Sequence, residues 1–341
     1  KITAKDITLS GVTVADKVYD GTTSAVINSN GSLSGLVSGE TLTLDATNRS
    51  AAFANRNAGT GKAVTVSGFA IADGTTGTIG LAGNYNLVMP TNVTGNITAK
   101  TLSVSGLSSA NKTYDGTTTA SVQGTAALAS SVAIGSGTSI DGQFYTGDVV
   151  SVNQLNATAE FNSKDVATAN TVSFGGLTLT GVDAGNYILA AHAADTTSRI
   201  SAKALSVTGS SAANKIYDGG LTASISVGTL SGFVGNETVT ANAVGTFNDQ
   251  NAGARTATAV YTLANGDNGG LASNYSLADT THGATINKAI LTITGSSAAD
   301  KTYDGNTTAT ISAGTLNGLV SSETLTVSAV GIFDDKNVGS R

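Results

Sequence analysis

Apolar and small polar residues alternate in short runs along the whole chain. Four of these runs share one form and end on glycine: Ile7-Thr8-Leu9-Ser10-Gly11, Leu102-Ser103-Val104-Ser105-Gly106, Leu205-Ser206-Val207-Thr208-Gly209 and Leu291-Thr292-Ile293-Thr294-Gly295. A period of two turns one face of a strand to a core and the other to water. The same period returns at Ala25/Ile27, Ala120/Val122, Ala223/Ile225 and Ala309/Ile311. It returns again in four runs headed by an acid, beginning at Glu40, Asp148, Glu237 and Glu323. No stretch carries a helical period. Short strands separated by turn signals predict an all-β chain of tandem immunoglobulin-like antiparallel β-sandwich modules forming an elongated rod.

Between the first two strands of each module stands the motif Lys-x-Tyr-Asp-Gly. It occurs as Lys17, Tyr19, Asp20 and Gly21; as Lys112, Tyr114, Asp115 and Gly116; as Lys215, Tyr217, Asp218 and Gly219; and as Lys301, Tyr303, Asp304 and Gly305. Lys and Tyr share one side of a strand end. Asp-Gly is a turn dipeptide, because Asp hydrogen-bonds nearby backbone and Gly accepts positive φ. The motif therefore reads as a turn beside a packed tyrosine, with a ligand site in every repeat as the sharper alternative.

Other marks follow in fixed order. A Phe opens a polar turn at Phe53, Phe161, Phe247 and Phe333, and an Asn-Tyr pair follows at Asn84-Tyr85, Asn186-Tyr187 and Asn274-Tyr275. The motif tyrosines lie 95, 103 and 86 residues apart. Modules of that size can each bury a core, which predicts beads on a string rather than a stacked solenoid.

The marks divide the chain. Residues 1–5 read as the closing strand of a preceding module, 6–100 as repeat 1, 101–203 as repeat 2, 204–288 as repeat 3 and 289–341 as a truncated repeat 4, a window from a longer array. Neither Pro nor a Gly-Ser run separates the closing strand at Ile97 from the next opening strand, so the linkers should be stiff. Repeat 2 carries roughly 13 extra residues at about 126–145, judged from the longer stretch between Tyr114 and Asp148. Loops carry function more often than cores do. Phe144 and Tyr145, near the end of this insertion, are candidate exposed aromatics of a ligand loop.

Composition narrows the function. Charged residues make up 12%, aromatics 5%, and the net charge is −6. That balance disfavours nucleic acid. There is no Cys, hence no disulfide and no thiolate metal site. No apolar run is long enough to span a membrane as a helix. Linker lysines without clustered carboxylates argue against calcium at the junctions. His192 and His282 stand alone and read as solvated loop residues. No catalytic residue, cofactor or metal site is predicted, and the chain reads as non-enzymatic. A Lys–Asn isopeptide bond beside a buried acid is conceivable, but a Lys beside Tyr at a strand end more simply snorkels.

The ordered marks Lys-x-Tyr-Asp-Gly-Thr-Thr, Gly-Glu-Thr-Leu, Asn-Ala-Gly, Ala-Gly-Asn-Tyr-x-Leu and Ile-Thr-Ala-Lys resemble the YDG repeat domain. That domain occurs in large bacterial surface adhesins of the filamentous-haemagglutinin type, often exported by two-partner secretion. The resemblance implies a surface-exposed stalk in attachment or biofilm matrix, located outside the cell on a Gram-negative surface. The partners it implies are neighbouring repeats, a host or bacterial surface protein or glycan, and other copies of the chain in a self-assembling filament. Repeat 2 departs from the pattern at Thr168-Ala169-Asn170, and repeat 3 has Gly220 after the motif.

Overall fold

The computed structural model describes residues 1–340. Almost every regular element is a strand. The helical elements among these residues are three single 3-10 turns, Ala82–Asn84, Ala184–Asn186 and Ala272–Asn274. Each ends on the Asn of an Asn-Tyr pair, and the tyrosine N–H closes the turn on the alanine carbonyl.

The chain divides into two compact units. One holds Lys1–Lys112, Thr118–Ser163 and Thr168–Arg199; the other holds Thr113–Thr117, Lys164–Ala167 and the chain from Ile200 onward. The division cuts through repeat 2, and the Tyr-Asp-Gly turn of repeat 2 falls in the unit that holds repeat 3.

In the first unit, repeat 1 is built on the strand Lys5–Val14. It pairs antiparallel with Ile27–Ser34 and parallel with Tyr85–Val88. The second sheet of repeat 1 has five strands, in the order Lys17–Val18, Thr94–Thr98, Gly59–Ser67, Ser50–Phe53 and Ser24–Ala25. Leu9 from the first sheet shares one buried cluster with Tyr19, Phe53, Val64, Val66 and Ile97, and Ile7 is buried as well. Repeat 2 in this unit repeats the plan in shorter strands, with Lys100–Leu102 parallel to Tyr187–Leu189 and Val104–Ser108 antiparallel to Gln123–Leu128.

In the second unit, repeat 3 has the same two sheets. Lys203–Thr208 lies between Thr229–Ser231 and Tyr275–Leu277. Opposite it, the order is Lys215–Ile216, Thr280–Asn287, Gly253–Asn265, Val239–Phe247 and Thr222–Ala223. Phe247, Ala223, Ala257 and Ile286 fill the space between. Repeat 4 keeps its first hairpins, such as Thr292–Thr294 with Thr315–Asn317.

The all-β tandem architecture follows the alternating pattern, with four differences. The sheets are mixed rather than purely antiparallel, because the opening strand and the motif strand each take a parallel neighbour. Lys5 begins the opening strand itself and is not part of a separate closing strand, since Lys5 pairs with Tyr85. The run at Glu323–Val327 forms no strand. In repeat 3 the equivalent run pairs with Gly253–Asn265, and the described residues hold no such partner for repeat 4. Finally, the cores are not separate beads: Leu102, Tyr145 and Tyr187 of repeat 2 belong to one buried cluster with Tyr19, Phe53 and Ile97 of repeat 1.

Candidate functional site

The recurrent feature is a joint in which a tyrosine of one repeat reaches the carboxylate of the next. Its foundation is the Lys-x-Tyr-Asp-Gly turn. Asp20 Oδ1 accepts the N–H of Thr22 at 2.8 Å and the Lys17 ammonium at 2.7 Å. The ammonium also donates to the Thr22 carbonyl and lies 5.6 Å from the Phe53 ring centroid. Lys215 and Lys301 repeat these contacts with Asp218 and Phe247, and with Asp304 and Phe333. The lysine therefore staples its own turn across a ring. In these three repeats it pairs with the Asp of the motif, not with the acid that heads the later strand. The motif glycines all have positive φ, from +73° to +82°.

The turn aims the tyrosine outward from its repeat. Tyr19 donates to Asp148 Oδ2 at 2.8 Å, and Tyr114 donates to Glu237 Oε1 at 2.7 Å. Tyr217 donates to Glu323 in the same way. The acid also holds the second tyrosine of its own repeat: Tyr187 donates to Asp148 at 2.5 Å, Tyr275 to Glu237 at 2.6 Å and Tyr85 to Glu40 at 2.5 Å. The two tyrosines of a joint meet edge to face, with centroids 5.3 Å apart for Tyr19–Tyr187 and 5.5 Å for Tyr114–Tyr275. That is the attractive geometry for aromatic pairs.

A cation and an amide complete the joint. Arg56 lies 2.8 Å from Asp148 and 3.3 Å from Asp183, while Lys164 lies 3.5 Å from Glu237 and donates to the Tyr114 oxygen at 3.1 Å. Arg56 and Lys164 occupy the same place, three residues after the Phe of the polar turn. Two residues further, the N–H of Ala58 donates to Asn186 Oδ1 and the N–H of Val166 donates to Asn274 Oδ1, both at 2.9 Å. Asn186 and Asn274 are buried as a result, whereas Asn84 is exposed.

These contacts move the ionisations. Burial, and then the hydrogen bonds to Asp148, push the hydroxyls of Tyr19 and Tyr187 well above the ordinary tyrosine value. Tyr275 is pushed up to about 12 by burial and by Glu237. Burial works against the Glu237 charge, but the two tyrosine hydroxyls and Lys164 outweigh it, so the carboxyl sits below its ordinary value. The arrangement keeps the carboxylate charged and the tyrosines protonated, which suits a clasp.

The insertion of repeat 2 belongs to the first joint. Tyr145 is 3% exposed and Phe144 is partly buried, so neither is an exposed aromatic. Tyr145 packs edge-on against Tyr19, with centroids 5.8 Å apart. Lys100 is fully buried with its ammonium 2.8 Å from Asp141 and 4.2 Å from the Tyr145 ring centroid. The inserted segment folds inward because it carries the counter-charge and the ring that a buried linker lysine requires.

The structure thus brings together residues that the sequence shows only as separate marks, the motif tyrosine, the strand-head acid and the Asn-Tyr pair. Arg56 and Lys164 carry no motif of their own in the sequence. Their common offset from Phe53 and Phe161 is the one sequence signal that links them. His282 and His192 are half-buried rather than solvated: His282 sits within the strand Thr280–Asn287 beside Thr280 and Ser210, and His192 accepts the Leu107 N–H.

The family model described as the YDG domain matches residues 3–94, 98–197, 201–282 and 287–341. No curated protein and no solved structure matches the chain.

Proposed function

The chain belongs to the YDG domain family, and on that premise we propose that it is a non-enzymatic structural stalk of a bacterial surface or secreted adhesin. In this reading it lies outside the cell and carries a distal binding region that contributes to attachment or biofilm matrix. The observation that carries the reading is the joint. Each joint uses one repeat's motif tyrosine and the next repeat's acid, and at the first two boundaries a single residue separates consecutive strands: Ala99 between Thr98 and Lys100, and Ala202 between Ser201 and Lys203. A short linker backed by a hydrogen-bonded aromatic contact resists bending at the boundary, which is what a stalk requires. The polar groups that repeat along the chain are used on one another rather than gathered around a substrate.

Small-angle scattering on chains of two, three and four repeats tests this reading. The expected result is a maximum dimension that grows by a constant increment per repeat. A dimension that saturates as repeats are added would overturn it.

A further inference from the structure

The tyrosine of Tyr-Asp-Gly reaches the next repeat through its hydroxyl. The glycine of the same motif faces that repeat too. A Cβ added at Gly116 would lie 2.8 Å from Val234 Cγ1, and one added at Gly219 would lie 3.2 Å from Val320 Cγ1. At Gly21 it would lie 3.0 to 3.3 Å from three carbons of Ile134. Carbon atoms in contact settle at about 3.5–4.0 Å, so none of these places has room for a side chain. In each case the crowding group is a β-branched aliphatic residue of the following repeat.

The network of the joint holds that residue in place. Val234 and Val320 stand three residues before the strand-head acids, and the N–H groups of Glu237 and Glu323 close on their carbonyls at 3.1 and 3.2 Å. The Tyr275 hydroxyl donates to Glu237 and accepts the Val234 N–H at 3.0 Å. Val234 and Glu237 of one repeat therefore meet Gly116 and Tyr114 of the other, two contacts side by side. A single hydrogen bond leaves rotation about itself free, and a second contact beside it removes that rotation. Repeat 2 is built differently. Tyr145 stands three residues before Asp148, gives its N–H to the Tyr187 hydroxyl and packs its ring on Tyr19. Ile134 of the insertion takes the place over Gly21 instead. The contact is kept even where another segment has to supply it.

We propose that the motif glycine is a specificity-determining residue of the joint. Its missing side chain is the seat for one β-branched aliphatic group of the next repeat. The seat and the tyrosine–carboxylate bond together fix the orientation in which one repeat accepts another. The partner that fits is a repeat carrying Val or Ile over the seat, and a side chain at the glycine position excludes it. This inference deepens the stalk reading and rests on the same joint.

Size compensation in the 341-residue chain tests the seat. Gly116→Ala, Val234→Ala and the two together are compared by denaturant unfolding, and so are Gly21→Ala, Ile134→Ala and their pair. The strain of alanine at positive φ is the same in either background, so only the contact couples the two substitutions. Gly116→Ala is expected to shift the unfolding equilibrium at least about threefold less when Val234→Ala accompanies it. Gly21→Ala with Ile134→Ala should behave alike. Val260→Ala, at an exposed aliphatic elsewhere in repeat 3, should leave the effect of Gly116→Ala unchanged. A smaller reduction at either joint, or an equal one with Val260→Ala, would overturn the seat. The scattering dimension reads the stalk separately. Constant growth per repeat without this coupling keeps the stalk and loses the seat, and coupling in a chain whose dimension saturates does the reverse.

Discussion

At the residue scale, the motif glycine does more than turn the chain. Gly116 has φ +81°, and a Cβ there would lie 2.8 Å from Val234 Cγ1 in the next repeat. Gly305 has φ +82° with open space around it. Gly116→Ala should therefore cost both backbone strain and a steric clash, about 1 kcal/mol or more, while Gly305→Ala pays the strain alone. Thermal melts of the two variants check this, and equal losses would show that Val234 yields. Lys100 supplies a second test. Its buried ammonium is neutralised by Asp141, and removing one partner of a buried pair typically costs about 3–5 kcal/mol. Asp141→Ala should lower the melting temperature far more than substitution of the exposed Ile140, measured by calorimetry. Asp141 ties Gln143 and Thr138 as well, so part of that loss is local.

At the element scale, the strand ends and turns are built to project the side chains of the joint. The 3-10 turn delivers Asn274 and Tyr275, the motif turn delivers Tyr114, and both tyrosines reach the two oxygens of Glu237. Groups that share one acceptor do not act independently. A double-mutant cycle of Tyr114→Phe with Glu237→Gln should give a coupling of about 0.5–3 kcal/mol, whereas Tyr114→Phe with Thr229→Ala should give additive losses. Denaturant melts provide the free energies. Equal coupling in the two cycles would mean that the hydroxyl contact is incidental.

At the scale of the whole molecule, the joints tie stability to pH from two sides. Glu237 has a carboxyl below its ordinary value of 4.5, so its contribution is present above that pH and is lost as the pH falls through the lowered value. Tyr275 has a hydroxyl raised from 10.0 to about 12. Its contribution is complete below pH 10 and fades as the pH rises toward 12. The expected profile is a plateau between these limits with a fall at each end. Glu237→Gln should flatten the acid fall, as followed by melting temperature against pH. An unchanged acid fall in that variant would place the sensitivity elsewhere. Burial is shared across repeat boundaries too, since Tyr145 and Tyr187 of repeat 2 lie in one cluster with Tyr19.

The all-β class, the four repeats and the turn chemistry are legible in the amino-acid sequence. Each of these rests on local rules: a period of two places a strand, and Asp-Gly with positive φ places a turn. The Asp20 and Gly21 turn could be read from neighbouring residues because every group it uses lies within a few positions of the chain. The link each motif tyrosine makes to the next repeat appears only in three dimensions. Tyr19 and Asp148 are 129 positions apart, and Tyr114 and Glu237 are 123 apart. No periodicity within one repeat links residues at that distance, so the sequence shows the motif tyrosine only as part of its own core, where Tyr19 and Tyr217 do pack, and not as a link to the next repeat. The same reason hid the role of Tyr145. A long inserted loop is exposed by default in a sequence, and only the three-dimensional position of the buried Lys100 shows why this one folds inward.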